Sequence, residues 1–213
     1  MTQPTALVNH TLSAFTDQLA ARSPTPGGGS MAAYLVASGS ALGAMACRFT
    51  SGEKFAAVEG AMARRVETLE SVRTRALKLV DLDSRSYDAV TAAYKLPKAS
   101  DAEKAARSAA IQAAMKGALE IPAETMERAL EALRIVAAAL TDVNPNLVSD
   151  GATGATCLWS AAESALLNVR INAASIQDKE WASARLAHCL ALSEEAHRLL
   201  ATAKTAAARH LAN

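Results

Sequence analysis

A proline- and glycine-rich run that opens onto an uncharged stretch constrains this 213-residue chain more than any other feature. The run reads Pro-Thr-Pro-Gly-Gly-Gly-Ser over residues 24–30, and no charged residue follows from Met31 to Cys47. Proline restricts the backbone, whereas glycine lets main-chain N–H groups approach a ligand without a Cβ atom in the way. Ser30 stands where a helix N-cap is expected, and the positive end of a helix dipole suits an anionic or carbonyl oxygen.

The same run is equally compatible with a stiff turn that feeds a tightly packed helix. It lacks the Gly-Lys-Ser/Thr ending of a P-loop and the spacing of a dinucleotide fingerprint. The uncharged stretch is long enough to suggest a membrane span, but its alanine, glycine and serine content is too weakly apolar. We therefore expect a central helix that is packed closely on all sides, and no membrane association.

Alanine and leucine supply most of the 51% hydrophobic content, and aromatic residues amount to only 4%. Such a composition, with few β-branched runs, favours helix throughout, so we predict an all-α protein with a single domain over 1–213. Lysine and arginine number 22 against 21 aspartates and glutamates, for a formal charge of +1. This balance argues against nucleic acid or an anionic membrane as a partner.

Cysteine usage and the N-terminal sequence both predict a cytoplasmic protein. The three cysteines have no paired spacing, which indicates a reducing compartment, and no signal peptide is visible. The four histidines lack ligand-like spacing with the cysteines, so no metal site is predicted, and nothing supports a nucleophilic Cys-His pair. These residues are Cys47, Cys157, Cys189, His10, His188, His197 and His210.

Apolar periodicity and capping residues predict an up-and-down bundle of about six to seven long helices. The expected helices are at about residues 5–22, from Ser30 through the uncharged stretch, and at 55–94, 100–141, 150–176 and 178–209. The segment 55–94 is either one very long helix or two nearly continuous ones, and the helix at 100–141 is expected to kink at Pro122. In the first of these helices, four side chains should face the core: Leu7, Leu12, Phe15 and Leu19.

Several boundaries follow from local sequence. Leu96-Pro97 stops the long helix, because the residue before proline is steered out of the helical region. Ser100 with Glu103 forms a capping box. The run Asn-Pro-Asn at 144–146 is the next break, and Asp178 caps the last helix.

Asp83 is a carboxylate on a stripe of residues that should be buried, between Val80 and Tyr87 and in line with Val90 and Tyr94. A buried charge costs several kcal/mol unless it is paired or hydrogen-bonded. Asp83 therefore either forms an ion pair with a lysine or arginine of a neighbouring helix or serves a site.

Two amides and a second aspartate form further candidates. Asn168 and Asn172 are four residues apart, so both lie on one helical face. Their side chains can form hydrogen bonds with the free backbone groups at the ends of other helices, or with the donor and acceptor edge of a heterocycle. Asp150 follows a proline-containing loop and is most simply an N-cap, which still places a carboxylate at a helix mouth.

Four ordered motifs resemble the cyclodeaminase/cyclohydrolase family, which includes the cyclodeaminase domain of formiminotransferase-cyclodeaminase and stand-alone methenyltetrahydrofolate cyclohydrolases. They are Ser-Pro-Thr-Pro-Gly-Gly-Gly-Ser (23–30), Tyr-Asp-Ala-Val (87–90) with Ala-Tyr-Lys-Leu-Pro-Lys (93–98), Asn-Pro-Asn-Leu-Val-Ser-Asp (144–150) and Leu-Asn-Val-Arg-Ile-Asn (167–172). The resemblance covers nearly the whole chain. It departs at Gly-Ala-Thr-Gly (151–154), where more aliphatic bulk is expected.

The resemblance implies a helical bundle that forms a homodimer and binds folate in a cleft near the dimer interface, without metal or cofactor. We predict that Asp83 is the general acid/base residue. Asp150 would add negative charge that attracts the cationic methenyl bridge of the substrate. Lys95 or Lys98 would orient water or hold the glutamate carboxylates of the folate, unless they are simply solvated at a helix end. The predicted substrate-binding residues are Gly27, Gly28, Gly29, Ser30, Tyr87, Asn146, Asn168 and Asn172.

Three functions remain open from the sequence. The preferred one is hydrolysis of 5,10-methenyltetrahydrofolate to 10-formyltetrahydrofolate, because no formiminotransferase is fused to the chain. The second is formiminotetrahydrofolate cyclodeaminase activity, which forms the methenyl bridge with loss of ammonia. The third is a non-catalytic helical bundle that binds folate or a protein partner.

Overall fold

The computed structural model describes residues 6–211, which form six α-helices and no β-strand. The helices are α1 (Leu12–Ala20), α2 (Gly28–Arg48), α3 (Ala56–Tyr94), α4 (Asp101–Ala139), α5 (Val148–Ser175) and α6 (Lys179–Leu211). Short 3-10 turns occur at Leu7–Asn9, Glu53–Phe55 and Pro145–Leu147. The predicted all-α bundle is confirmed, with five long helices and one short one.

Helix α2 is the centre of the bundle and packs against α3, α4 and α5. Its contact with α5 is unusually close, because a Cβ atom on Gly39 would lie 2.8 Å from the Gly154 carbonyl oxygen. A Cβ atom on Gly154 would in turn lie 2.9 Å from the Gly39 oxygen. The two backbones therefore touch, which explains the glycine at 154 where aliphatic bulk was expected. Gly151 has a different neighbour, since its Cβ atom would lie 2.9 Å from the Leu140 side chain.

By length and composition α2 is the one helix among the described residues that could cross a membrane. In the bundle, however, 61% of that apolar window is buried against the neighbouring helices. The packing of α2 accounts for its apolar character, as the sequence predicted.

Helix α3 is one continuous helix of 39 residues, which settles the choice left open by the sequence. Its core stripe holds in the first part, where Met62, Leu69 and Ala76 are buried. Tyr87 and Tyr94 were predicted on the same buried stripe, but they are 46% and 48% exposed. The reason is that α2 begins level with Asp83, so nothing from α2 covers the last turns of α3.

The first helix is shorter than predicted. It begins at Leu12, because the Thr11 side chain accepts a hydrogen bond from the Ala14 N–H and caps the helix there. The predicted start at Thr5 lies outside the described residues. Phe15 is buried as expected, but Leu12 is 69% exposed and the prediction that it faces the core is wrong.

Other boundaries agree with local signals more closely. The capping box of Ser100 and Glu103 is present, and Asp178 caps α6 by accepting from the Trp181 N–H at 3.1 Å. Helix α4 continues through Pro122 to Ala139. Asp150 is not the N-cap of α5, because the helix already begins at Val148 and places Asp150 in its first turn.

Candidate functional site

Asp83 and the two amides Asn168 and Asn172 line one cavity of about 280 Å³. The glycine run at the N-terminus of α2 forms its rim, and the C-terminal part of α3 forms one wall. Helix α5 forms the facing wall with its amides, and α4 closes the cavity with Met115 and Ala118. Four segments that are far apart in sequence thus meet at this cavity, and two of them, in α3 and α5, supply the polar residues predicted from helical periodicity.

The Asp83 carboxylate lies at the N-terminus of α2 and accepts a hydrogen bond of 2.9 Å from the Ser30 hydroxyl. Ser30 is therefore not the N-cap that the sequence suggested. The cap is Gly27, which has no side chain to offer the first N–H groups, and Ser30 is already inside the helix. A carboxylate from α3 thus interacts with the positive end of α2.

Gly29 makes this approach possible. A Cβ atom at this position would lie 2.1 Å from Oδ1 and 2.6 Å from Cγ of Asp83, closer than real Cβ contacts come. Its neighbour Gly28 is not under the same restriction, because the nearest atom there is Nδ2 of Asn168 at 3.8 Å. The middle of the glycine run is thus required for the position of the carboxylate.

Burial raises the pKa of the Asp83 carboxyl above its ordinary value. Hydrogen bonds from the side chain and backbone of Ser30 lower it without cancelling the effect of burial. Asp83 forms no ion pair within residues 6–211, so the alternative of a structural pair with a neighbouring lysine or arginine is wrong. It is also the one charged side chain that lines the cavity in the part of the chain described.

The orientation of Asn172 follows from a proline on another helix. Pro122 has no N–H, so the carbonyl of Ala118 one turn earlier lacks its usual helical partner. Nδ2 of Asn172 donates to that carbonyl at 2.9 Å. Because a carbonyl accepts only from the NH₂ end of an amide, Oδ1 of Asn172 is left as an acceptor for another donor.

Asn168 is held in a similar way from its own helix, since its Nδ2 donates to the Ser164 carbonyl at 3.0 Å. Neither Oδ1 atom accepts a hydrogen bond from the described residues. The amides therefore bind carbonyls inside helices and not the ends of other helices. That their Oδ1 atoms bind a heterocycle stays a prediction.

Some lining residues were missed from the sequence. Ser175 continues the face of Asn168 and Asn172 and could have been found from the helical spacing. Ser86 lies one turn after Asp83, and its hydroxyl donates to the Asp83 carbonyl at 2.7 Å. Met115 on α4 carries no sequence signal for a site, because only the tertiary packing brings α4 to this cavity.

Five predicted site residues do not line the cavity. Ser30 is fully buried and acts on the cavity only through its hydrogen bond to Asp83. Lys95 and Lys98 are exposed at and beyond the end of α3. Asn146 and Asp150 are near the opposite end of the bundle, since the 18 residues from Asp150 to Asn168 rise about 27 Å along α5. From the described part of the chain, the cavity therefore contains one carboxylate and not two. Among residues 6–211, no group of three or more histidine, cysteine, aspartate or glutamate side chains is arranged to hold a metal ion.

The chain is similar to known proteins in both sequence and fold. A family model described as formiminotransferase-cyclodeaminase matches residues 11–191. A methenyltetrahydrofolate cyclohydrolase from Methylorubrum extorquens is 36% identical over 90% of this chain and 92% of its own length. The formimidoyltransferase-cyclodeaminase of Rattus norvegicus is 33% identical over 81% of this chain, which spans only 32% of that protein. The crystal structure of formiminotetrahydrofolate cyclodeaminase from Thermotoga maritima has a TM-score of 0.78 and 26% identity, covering 95% of this chain and 96% of that one.

Proposed function

Because the chain belongs to the formiminotransferase-cyclodeaminase family, we propose that it is an enzyme that hydrolyses 5,10-methenyltetrahydrofolate to 10-formyltetrahydrofolate in one-carbon metabolism. The single observation that carries the proposal is the Asp83 carboxylate, which is partly desolvated, has no cationic partner among the described residues and faces a cavity. The methenyl bridge is a delocalised amidinium cation, and a cation about 4 Å from a carboxylate gains on the order of 4 kcal/mol at an effective dielectric constant of roughly 20.

The hydrolysis can be written with Asp83 as the group that moves the proton. Asp83 accepts a proton from the water molecule whose oxygen bonds to the bridge carbon, which forms a tetrahedral carbinolamine. The bond from that carbon to N5 then breaks, and Asp83 returns the proton to N5 while the second water proton passes to solvent. A carboxyl with a raised pKa suits both directions of transfer. The reaction consumes only water, so we propose no cofactor.

The remaining cavity residues would bind the pterin. The Oδ1 atoms of Asn168 and Asn172 are acceptors for its N–H groups, and their orientation is already set by the backbone carbonyls that hold Nδ2. The residues from Gly27 to Gly29 would approach the ring with their main chain, Ser30 would hold Asp83 in position, and Tyr87 would cover the ring from α3. No role in this proposal is given to Lys95, Lys98, Asn146 or Asp150.

Cyclodeaminase activity is the second candidate. It is supported by the solved Thermotoga maritima cyclodeaminase, whose fold the chain shares. Both reactions pass through a tetrahedral centre between two nitrogens, so the same cavity suits either. We prefer the cyclohydrolase because the Methylorubrum extorquens protein of that name matches at higher identity and over nearly its whole length.

We also propose that the protein acts as a homodimer in the cytoplasm. Leu167 and Ile171 support the dimer, because they are 60% and 69% exposed and alternate with the amides of α5 at the cavity. The three cysteines are free thiols, which agrees with a reducing compartment. Sedimentation analysis of the wild type and of Ile171→Lys tests the dimer, which the added charge should weaken.

The function is tested by following the ultraviolet absorbance of the methenyl bridge. Purified protein is mixed with 5,10-methenyltetrahydrofolate and, in parallel, with 5-formiminotetrahydrofolate. Loss of absorbance faster than the spontaneous rate supports the cyclohydrolase. Appearance of absorbance from the formimino compound, with release of ammonia, supports the cyclodeaminase instead, and no change in either sample would refute both activities.

A further inference from the structure

A second cavity, of about 430 Å³, adjoins the one that contains Asp83. Met115 and Ser175 line both, so the two cavities form one continuous groove between α3, α4 and α5. The second cavity carries Arg107 and the ring of Tyr94. It contains none of the residues that the sequence predicted for the site.

The charges of the two cavities are opposite. Among residues 6–211, Asp83 is the one charged residue that lines the first cavity, and Arg107 is the one that lines the second. Asp83 and Tyr94 are separated by 11 residues of the same helix, or roughly 16 Å along its axis. The groove therefore has a negative end and a positive end that are separated by about this distance.

Arg107 is held in place without an acidic partner. Its Nε and Nη2 atoms donate to the Tyr94 carbonyl at 3.2 and 3.0 Å, and its guanidinium lies 5.5 Å from the centre of the Tyr94 ring. No carboxylate pairs with it among the described residues. These contacts complete the C-terminus of α3, but they use one edge of a guanidinium with five N–H donors. The edge that carries Nη1 is left for a second acceptor.

We propose that Arg107 binds the carboxylate of the p-aminobenzoylglutamate tail of the folate, while Met115 contacts the arene where the two cavities join. The inference rests on the proposed function, because that substrate has a cationic bridge at one end and carboxylates at the other. This arrangement matches the groove, with Asp83 at the bridge and Arg107 at the tail. A guanidinium recognises a carboxylate through charge-assisted hydrogen bonds.

The test compares two substrates that differ only in the tail: 5,10-methenyltetrahydrofolate and 5,10-methenyltetrahydropteroate, which has no glutamate. For Arg107→Ala, KM for the folate should rise roughly tenfold to a hundredfold with kcat unchanged, as expected for loss of a charged hydrogen bond. KM for the pteroate should stay the same. Arg107→Lys should recover part of the affinity for the folate.

Lys104→Ala is the matched control, because Lys104 is an exposed cation one turn earlier on α4 and pairs with Asp101 outside both cavities. It should leave both KM values unchanged. A purely structural role of Arg107 at the end of α3 would affect both substrates equally, and that result would overturn the proposal. Selective loss of folate affinity in Lys95→Ala or Lys98→Ala, with none in Arg107→Ala, would overturn it as well.

Binding of p-aminobenzoyl-L-glutamate, followed by saturation-transfer NMR, separates this proposal from the proposed function. Contact of this fragment with the wild type and its loss in Arg107→Ala support the tail site even if no turnover occurs. Turnover by the wild type with identical fragment binding in both proteins would refute the tail site alone.

Discussion

Replacing Gly29 with alanine tests whether the position of the Asp83 carboxylate is what the glycine run provides. The new methyl group would lie 2.1 Å from Oδ1 and 2.8 Å from Oδ2. Since real Cβ atoms essentially never come within 3.0 Å of another heavy atom, the carboxylate must move by about 1 Å or rotate away. Either movement disturbs the hydrogen bond to the Ser30 hydroxyl and changes the position of the carboxylate in the cavity.

The expected magnitudes separate activity from stability. A catalytic group misplaced by about 1 Å costs on the order of 100-fold in rate, so kcat should fall by roughly that factor. For stability, alanine in place of glycine gains up to about 1 kcal/mol in a helix, whereas overpacking costs about 1–3 kcal/mol. The free energy of unfolding should therefore fall by no more than about 3 kcal/mol.

The assay is the initial rate of methenyl consumption, combined with urea denaturation of the same preparations. Gly28→Ala serves as the stability control, because it adds a methyl group to the same helical turn with only an ordinary contact at 3.8 Å. Gly117→Ala serves as the activity control, because a Cβ atom there meets nothing within 4 Å and the position is exposed on α4. Gly117→Ala should be slightly stabilised and fully active. Normal turnover by a folded Gly29→Ala would refute the reasoning.

Three further variants test other parts of the account. Asp83→Asn should be more stable than the wild type at neutral pH. Burial raises the pKa of Asp83, so ionisation of the carboxyl destabilises the native state above that pKa. Thermal melts of the two proteins should therefore converge as the pH falls toward the ordinary pKa of aspartate. Pro122→Ala restores a backbone N–H that competes with Asn172 for the Ala118 carbonyl. KM for the folate should therefore rise several-fold with little loss of stability. An unchanged KM would contradict this role of the proline. Gly39→Ala places a methyl group 2.7 Å from the Leu158 side chain and 2.8 Å from a backbone oxygen of α5. Urea denaturation should therefore show that the free energy of unfolding falls by about 1–3 kcal/mol or more. Wild-type stability would refute the close contact of α2 and α5.

The features that could be predicted from the sequence are those set by helical phase. Asp83 was identified because it interrupts an apolar stripe, and Asn168 with Asn172 because a spacing of four places them on one face. Capping chemistry is equally local, so the box at Ser100 and the cap at Asp178 were also found. Such patterns need no knowledge of which helices become neighbours.

What could not be predicted depends on contacts between helices that are distant in sequence. Asp150 has the right chemistry for a cationic substrate, but only the packing of α5 shows that it lies far from Asp83. The sequence predicts Gly29 as part of a stiff turn or a ligand-binding loop, whereas its actual constraint is the carboxylate that α3 brings against it. Arg107 carries no sequence signal for a site, because its position depends on the end of α3 and on the cavity beside it.

The most direct test of the central claim is the steady-state rate of 5,10-methenyltetrahydrofolate hydrolysis by the wild type and by Asp83→Asn. Asparagine keeps an oxygen that can accept from the Ser30 hydroxyl but cannot accept or return a proton. We predict that the wild type accelerates loss of the methenyl absorbance and that the variant, although folded and able to bind the folate, is slower by roughly 100-fold or more. A folded Asp83→Asn protein with the turnover of the wild type would contradict the account.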